Sequence, residues 1–282
     1  MIIEAAIGDA YGAGFEFADM EFIREKNKLT QYERHPLFDT IYKKYTDDTQ
    51  MALAIAELLI EKKEWTPLTI AEKFVEVFKR DPRHGYARGF YQLLSEVASG
   101  QELMDSITPA SIRNGAVMRV YPLGILPDEQ EILQKAEMQS RITHNTENAI
   151  VSSQAMALAA HFFVYEKGDR SALTEYLYDL QKVRWRLDWQ GEVSIDAIQT
   201  VHAVFTVLSE AHSFSEILKK SVDLGGDVDT VASLALALAA VDKNMENDLP
   251  RWLYDELENE QFGRDYILNI DNELFKLKDA LD

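Results

Sequence analysis

The sequence predicts an all-α fold, a single compact multi-helix domain over residues 1–282, and three observations carry that prediction. Apolar residues recur at spacings of three and four almost throughout, strand-like alternation is scarce, and the glycines and prolines fall between the periodic blocks. The first block, 51–60 ("MALAIAELLI"), is apolar on nearly every side and predicts a buried helix. Blocks at 70–79 and 90–97 follow, with Pro67 ahead of the first and Pro82, Gly85 and Gly89 between them. Gly100, Pro109, Gly115 and Pro122 then mark loops before helices at 130–138 and 149–165. Helices at 171–180, 195–210 and 214–222 come next, Gly191 separating the first two. Gly225 and Gly226 close that run, and 229–241 predicts a second very apolar helix. The tail, 242–282, reads as one or two amphipathic helices closing the bundle, its carboxylates forming a solvated face.

Composition narrows the function. Hydrophobic residues make up 46% of the 282, enough to bury a sizeable core. With 48 acidic against 29 basic residues the formal charge is −19, which repels a nucleic-acid backbone or an anionic membrane, so neither is an expected partner. Cysteine is absent, which excludes disulfides, thiolate metal sites and a cysteine nucleophile. The opening "MIIEAAIGDAYG" lacks the basic region and longer apolar core of a signal peptide. Apolar runs such as "VASLALALAAV" reach about half the roughly 20 residues of a membrane helix. A soluble, cytoplasmic, monomeric protein is expected.

Two short stretches carry the chemistry. "YTDDTQMALA" sets Asp47 and Asp48 between Thr46 and Thr49 at the mouth of an apolar helix. Helix capping accounts for one acid there, at most two. A second stretch, "LGGDVDTVASLALA", places Asp227, Asp229 and Thr230 ahead of another apolar helix. If the two helices lie side by side, their carboxylates and threonine hydroxyls meet at one point. Like charges so close are unfavourable without a cation, and Mg²⁺ or Mn²⁺ takes an all-oxygen shell of this kind. The two motifs therefore predict a divalent-cation site. Gly225 and Gly226 permit a tight turn that brings backbone near the ion or its ligand, and Glu16 in "IGDAYGAGFEF" is a third acidic candidate.

Taken in order and at their approximate spacing, "GDAYGAGFEF", "YTDDTQMALAIAE", "RNGAVMRVYPLG", "THNTENAIVSSQAMALA" and "LGGDVDTVASLALALA" resemble the ADP-ribosylglycohydrolases, a family that includes the dinitrogenase reductase-activating glycohydrolases. The resemblance runs from about residue 5 to 241. It implies an all-helical fold, two divalent cations (Mg²⁺ or Mn²⁺), and hydrolysis of the bond between ADP-ribose and a protein side chain or a small acceptor. It also implies that Thr46, Asp47 and Asp48 bind metal from one helix start and Asp227, Asp229 and Thr230 from the other. Glu16 matches the family's amino-terminal glutamate, which lies near the metals and regulates access to them.

Cleaving such a bond passes through an oxocarbenium-like state, so the site must hold the ribose and aim a water at its anomeric carbon. Asp227 is the leading candidate for orienting or deprotonating that water, with Glu16 and Asp47 as further catalytic candidates. The diphosphate needs donors, and in so acidic a chain backbone N–H groups are the expected source. "DPRHGYARGF" supplies Gly85 and Tyr86 and matches a loop that closes over the ligand in relatives, while "SIRNGAVMRV" puts Asn114 and Gly115 at a short helix start suited to a phosphate. His144 either donates to a ribose hydroxyl or phosphate or has its ring bonded locally at a helix start, and both readings stand.

The chain departs from the family pattern in three places. Arg113 and Val117 stand where relatives commonly carry glycine and a small residue, and both are expected to crowd the phosphate loop. Thr146 and Asn148 replace a second histidine and a proline after His144. Trp185 and Trp189 read as half-buried packing in preference to an adenine platform. The rival function is a non-catalytic, structural or ligand-binding member of the same fold, as in the J1-type lens crystallins. The complete set of oxygen ligands favours the enzyme. The linkage to the acceptor is set by loops outside these motifs.

Overall fold

A computed structural model describes residues 1–38 and 41–281 of the chain. Among them are fourteen α-helices: α1 (Ile2–Gly12), α2 (Met20–Lys26), α3 (Asp47–Ile60), α4 (Pro67–Arg80), α5 (Arg88–Glu96), α6 (Gly100–Ser106), α7 (Glu129–Thr143), α8 (Glu147–Val164), α9 (Leu173–Gln181), α10 (Ala197–Glu210), α11 (Phe214–Asp223), α12 (Val228–Ala239), α13 (Arg251–Glu256) and α14 (Arg264–Leu281). Pairing between extended segments is limited to isolated bridges, with no sheet among the described residues.

Each periodic block of the sequence is a helix, and the amphipathic tail forms two, α13 and α14. Polar side chains set the starts: Thr66, Thr146 and Ser213 accept from amides in the first turns of α4, α8 and α11, and Pro67 fits the first turn of α4. Three helices were not predicted. α2 and α6 have only seven residues each, and α1 buries ten of its eleven. A helix surrounded by protein has no polar face, so its period cannot be read from contrast.

That enclosure builds the centre of the molecule. All twelve residues of α12 and thirteen of the fourteen in α3 are buried, and α1 lies against both. A β-carbon at Gly12 would sit 2.4 Å from Asp229 Cα, so only glycine lets the end of α1 meet the start of α12. At its other end, α1 is held by Asp271 of α14, whose carboxylate accepts from the amides of Ile2 and Ile3, each at 2.9 Å. Outer helices such as α4 and α11 turn an apolar face inward and a charged face to solvent. No helix among the described residues is long and apolar enough to cross a membrane.

Candidate active site

The two acidic helix starts meet, and neither uses an aspartate side chain to cap its helix. At α3 the cap is Thr46, whose Oγ1 accepts from the Asp48 amide at 3.4 Å. This leaves the Asp47 and Asp48 carboxylates for another purpose. At α12 the Asp227 side chain makes no capping bond, and its backbone is fixed instead by Asp227 N donating to Val193 O at 2.8 Å. Asn114 Nδ2 donates to Asp227 Oδ2 at 2.5 Å and to Thr200 Oγ1 at 3.0 Å, which orients that carboxylate. Asp229 Oδ1 accepts from the Thr230 amide at 2.9 Å.

Glu16 arrives on the loop after α1. Phe17 N donates to Gly226 O at 2.8 Å, tying the loop to the start of α12. His35 Nδ1 accepts from the amides of Leu37 and Phe38, so Nε2 carries the proton and donates to Glu16 O at 2.8 Å. One oxygen each from Glu16, Asp227 and Asp229 lies within 4.8 Å of the others. These three acids, with Asp47, Asp48 and Thr230, line one cavity of 580 Å³.

A divalent cation fits this arrangement on three counts. Asp48 Oδ1 is buried with no hydrogen-bond partner. Two ionised carboxylates 4.8 Å apart repel by about 3.5 kcal/mol at an effective dielectric near 20. Burial, reinforced by that repulsion, pushes Asp47, Asp48 and Asp229 well above the usual carboxylate range. Burial also lifts Glu16 to about 7, with Asp227 and Asp9 adding to the rise, and lifts Asp227 to about 6 against the opposing bond from Asn114. The other close acid group, Glu57, Glu61 and Glu76, makes the contrast. It is already neutralised by Lys73, 2.7 Å from Glu61 and 2.9 Å from Glu76, and by Arg80, 2.5 Å from Glu57.

Carboxyls whose folded pKa is raised bind protons that the unfolded chain has released, so stability falls as pH rises through that window. EDTA-treated protein should therefore melt at a lower temperature at pH 8 than at pH 5.5, the loss centred on the values of about 6 and 7 for Asp227 and Glu16. Added Mg²⁺ should remove most of the difference, and an equal pH response with and without Mg²⁺ would count against a cation among these acids.

The remaining walls come from two loops. Gly85 has φ of +105°, and a β-carbon there would lie 2.0 Å from Asp47 Oδ1. The bond from Asp47 N to His84 O at 3.0 Å holds this loop against α3, and Tyr86 OH donates to Gln50 Oε1 at 2.7 Å. Opposite stand Asn114 and Gly115 in a 3-10 turn, followed by Met118 and Arg119, with the His144 ring against Gly115. His144 Nδ1 is 2.6 Å from Thr143 Oγ1, and burial together with Arg119 and Arg113 drives the ring down to about 3, so it is neutral.

Some expectations change on this geometry. The Asn114 amide donates to Ile195 O at 2.9 Å, so it is not offered to a phosphate, and the side chain serves Asp227. Thr46 caps α3 and does not line the cavity. His144 ends α7 and is not at a helix start. Val117 is fully buried and does not line the cavity, whereas Arg113 does. Trp185 packs against His202 and Phe205 and Trp189 donates to Gly191 O, both away from the cavity.

Two residues escaped the sequence reading. Asp9, fully buried on α1, accepts from Thr46 N at 3.0 and 2.9 Å, Thr49 N at 3.1 Å and Thr49 Oγ1 at 2.6 Å, so it fixes the turn that presents Asp47 and Asp48. An acid amid "AAIGDAYGA" was the available signal. Arg119, also buried, donates to Gln139 Oε1 at 2.5 Å, Gln139 O at 3.0 Å and Thr143 Oγ1 at 2.8 Å, and stacks 4.3 Å above Phe74. Its burial lowers its pKa to about 9.

Comparison with known proteins agrees with the fold. Residues 1–281 match the family described as ADP-ribosylglycohydrolase. An uncharacterized protein of Archaeoglobus fulgidus is 26% identical, with 84% of each chain covered. ADP-ribosylhydrolase ARH3 of Mus musculus is 24% identical over 88% of this chain and 84% of its own. ADP-ribosylarginine hydrolase Tri1 of Pseudomonas putida is 22% identical over 89% and 72%. A solved structure titled ADP-ribosylglycohydrolase-related protein complex superposes with a TM-score of 0.76 at 21% identity, covering 98% of this chain and 96% of that one. The chain belongs to the ADP-ribosylglycohydrolase family.

Proposed function

We propose that the protein hydrolyses the glycosidic bond between ADP-ribose and an acceptor, a protein side chain or a small molecule, with two divalent cations, Mg²⁺ or Mn²⁺. The observation that carries this reading is the meeting of Glu16, Asp47, Asp48, Asp227 and Asp229 on one cavity with no salt bridge to them from a cationic side chain among the described residues. Relatives named as ADP-ribosyl hydrolases support the substrate class.

Asp47 and Asp48, from the start of α3, and Asp229 and Thr230, from the start of α12, would hold the cations, with Thr46 fixing the α3 turn and Asp227 adjoining them. When bound, the cations would supply Lewis-acid chemistry that makes a nearby water more acidic. The protein's own part is positional. Asn114 turns Asp227 so that one oxygen remains to take a proton from the attacking water. Glu16, anchored through its carbonyl and through Phe17, closes the acid end of the cavity. Gly85 and Tyr86 form the wall beside Asp47, and neutral His144 faces them as a hydrogen-bonding group.

Release of free ADP-ribose from arginine-linked and serine-linked conjugates, before and after EDTA treatment, tests the reading. The expected result is release from at least one conjugate, abolished by EDTA and restored by Mg²⁺ or Mn²⁺. Tight ADP-ribose binding with no release from either conjugate would point to the non-catalytic role.

A further inference from the structure

The cavity carries charge of both signs. Five carboxylates line it, and so do two guanidinium groups, those of Arg113 and Arg119, which add to burial in depressing the pKa of His144; Arg119 also feels the charge of Asp47. Neither arginine forms an ion pair among the described residues, although the chain carries 48 acidic side chains. Elsewhere Arg83 reaches Asp81 at 2.6 Å and Glu258 at 2.7 Å, and Arg141 reaches Glu137 at 2.6 Å. Arg119 is 1% exposed and held in place by Gln139 and Thr143, whereas Arg113 is exposed at the rim. Arg119 has hydrogen bonds and the more distant charge of Asp47 but no direct ion pair to offset its burial, so an anion reaching it is favourable.

We infer that Arg113, with the fixed charge of Arg119, takes a phosphate of the ligand's diphosphate, replacing the backbone donor that Asn114 does not provide. The inference rests on the reading above that the ligand is an ADP-ribosyl group. Arg113 directly precedes Asn114, which holds Asp227. A ligand with its reactive ribose on the carboxylates and its phosphates a few bonds away spans both. Arg113 is free to act because its side chain forms no ion pair among the described residues, and its charge can donate a charge-assisted hydrogen bond to a phosphate oxygen.

The test measures calorimetric affinity for ADP-ribose, with pyrophosphate as competitor, in wild type, Arg113→Gln and Arg113→Lys. Arg113→Gln should bind ADP-ribose about tenfold more weakly, the scale of one charge-assisted hydrogen bond, and pyrophosphate should compete less well. Arg113→Lys should retain most of the affinity, because a phosphate needs charge whereas a nucleobase face needs the flat guanidinium. In turnover the loss should appear in KM far more than in kcat. Wild-type affinity in Arg113→Gln overturns the inference and leaves the proposed function standing. Equal losses in the Gln and Lys variants overturn the phosphate assignment. A wild type that binds no ADP-ribose fails the proposed function first, and this inference with it.

Discussion

Asp227→Asn is expected to lower turnover by about 10² or more while ADP-ribose affinity changes little. Asparagine keeps the shape, and its side-chain oxygen can still accept the bond that Asn114 Nδ2 makes to Asp227 Oδ2. The start of α12 should not suffer, since the Asp227 side chain does not cap it. What is lost is the capacity to accept a proton. Asp229→Asn should weaken both affinity and rate, because removing an anionic oxygen would loosen the cations proposed to bind there. Single-turnover hydrolysis measured beside calorimetric affinity separates the two outcomes. If Asp227→Asn loses both in parallel with Asp229→Asn, Asp227 is an ordinary metal ligand and does not act as the base.

The second large effect is expected from Asp9→Ala. This change leaves two buried amides, those of Thr46 and Thr49, and the Thr49 hydroxyl without their acceptor. Unsatisfied buried donors are each unfavourable by about 1–3 kcal/mol. Relief of repulsion towards Asp47 and Asp48 offsets part of that, so denaturant unfolding should show a net loss of about 3 kcal/mol. The turn presenting Asp47 and Asp48 should loosen with it, and the rise in melting temperature on adding Mg²⁺ should shrink. A variant with wild-type stability and an undiminished Mg²⁺ response would show that Asp9 does not organise the site.

How much of this was legible in the sequence depended on where each residue sits. Helices with one face in water, such as α4 and α11, announced themselves through period, because burial on one side enforces contrast. Helix α1 did not, since protein encloses it and leaves no polar face to set a period. In the site, Thr46–Asp48 and Asp227–Thr230 were readable because two like charges beside an apolar helix exceed what capping needs. Asp9 and Arg119 were not, because each is a single charged residue whose partners lie far along the chain: Thr46 and Thr49 for one, Gln139 and Thr143 for the other. Asn114 was readable as a site residue, but its bonds to Asp227 and Ile195 were not, because they join segments that only the fold brings together.

The central claim is that the acids at the two helix starts hold divalent cations. Titration of EDTA-stripped protein with Mn²⁺, counting bound ions by the loss of free-ion electron paramagnetic resonance signal, tests it most directly. The account predicts two ions per chain in wild type and far weaker uptake in Asp229→Ala, with the fold retained by circular dichroism. Uptake that is absent in wild type, or that persists unchanged in Asp229→Ala, would contradict it.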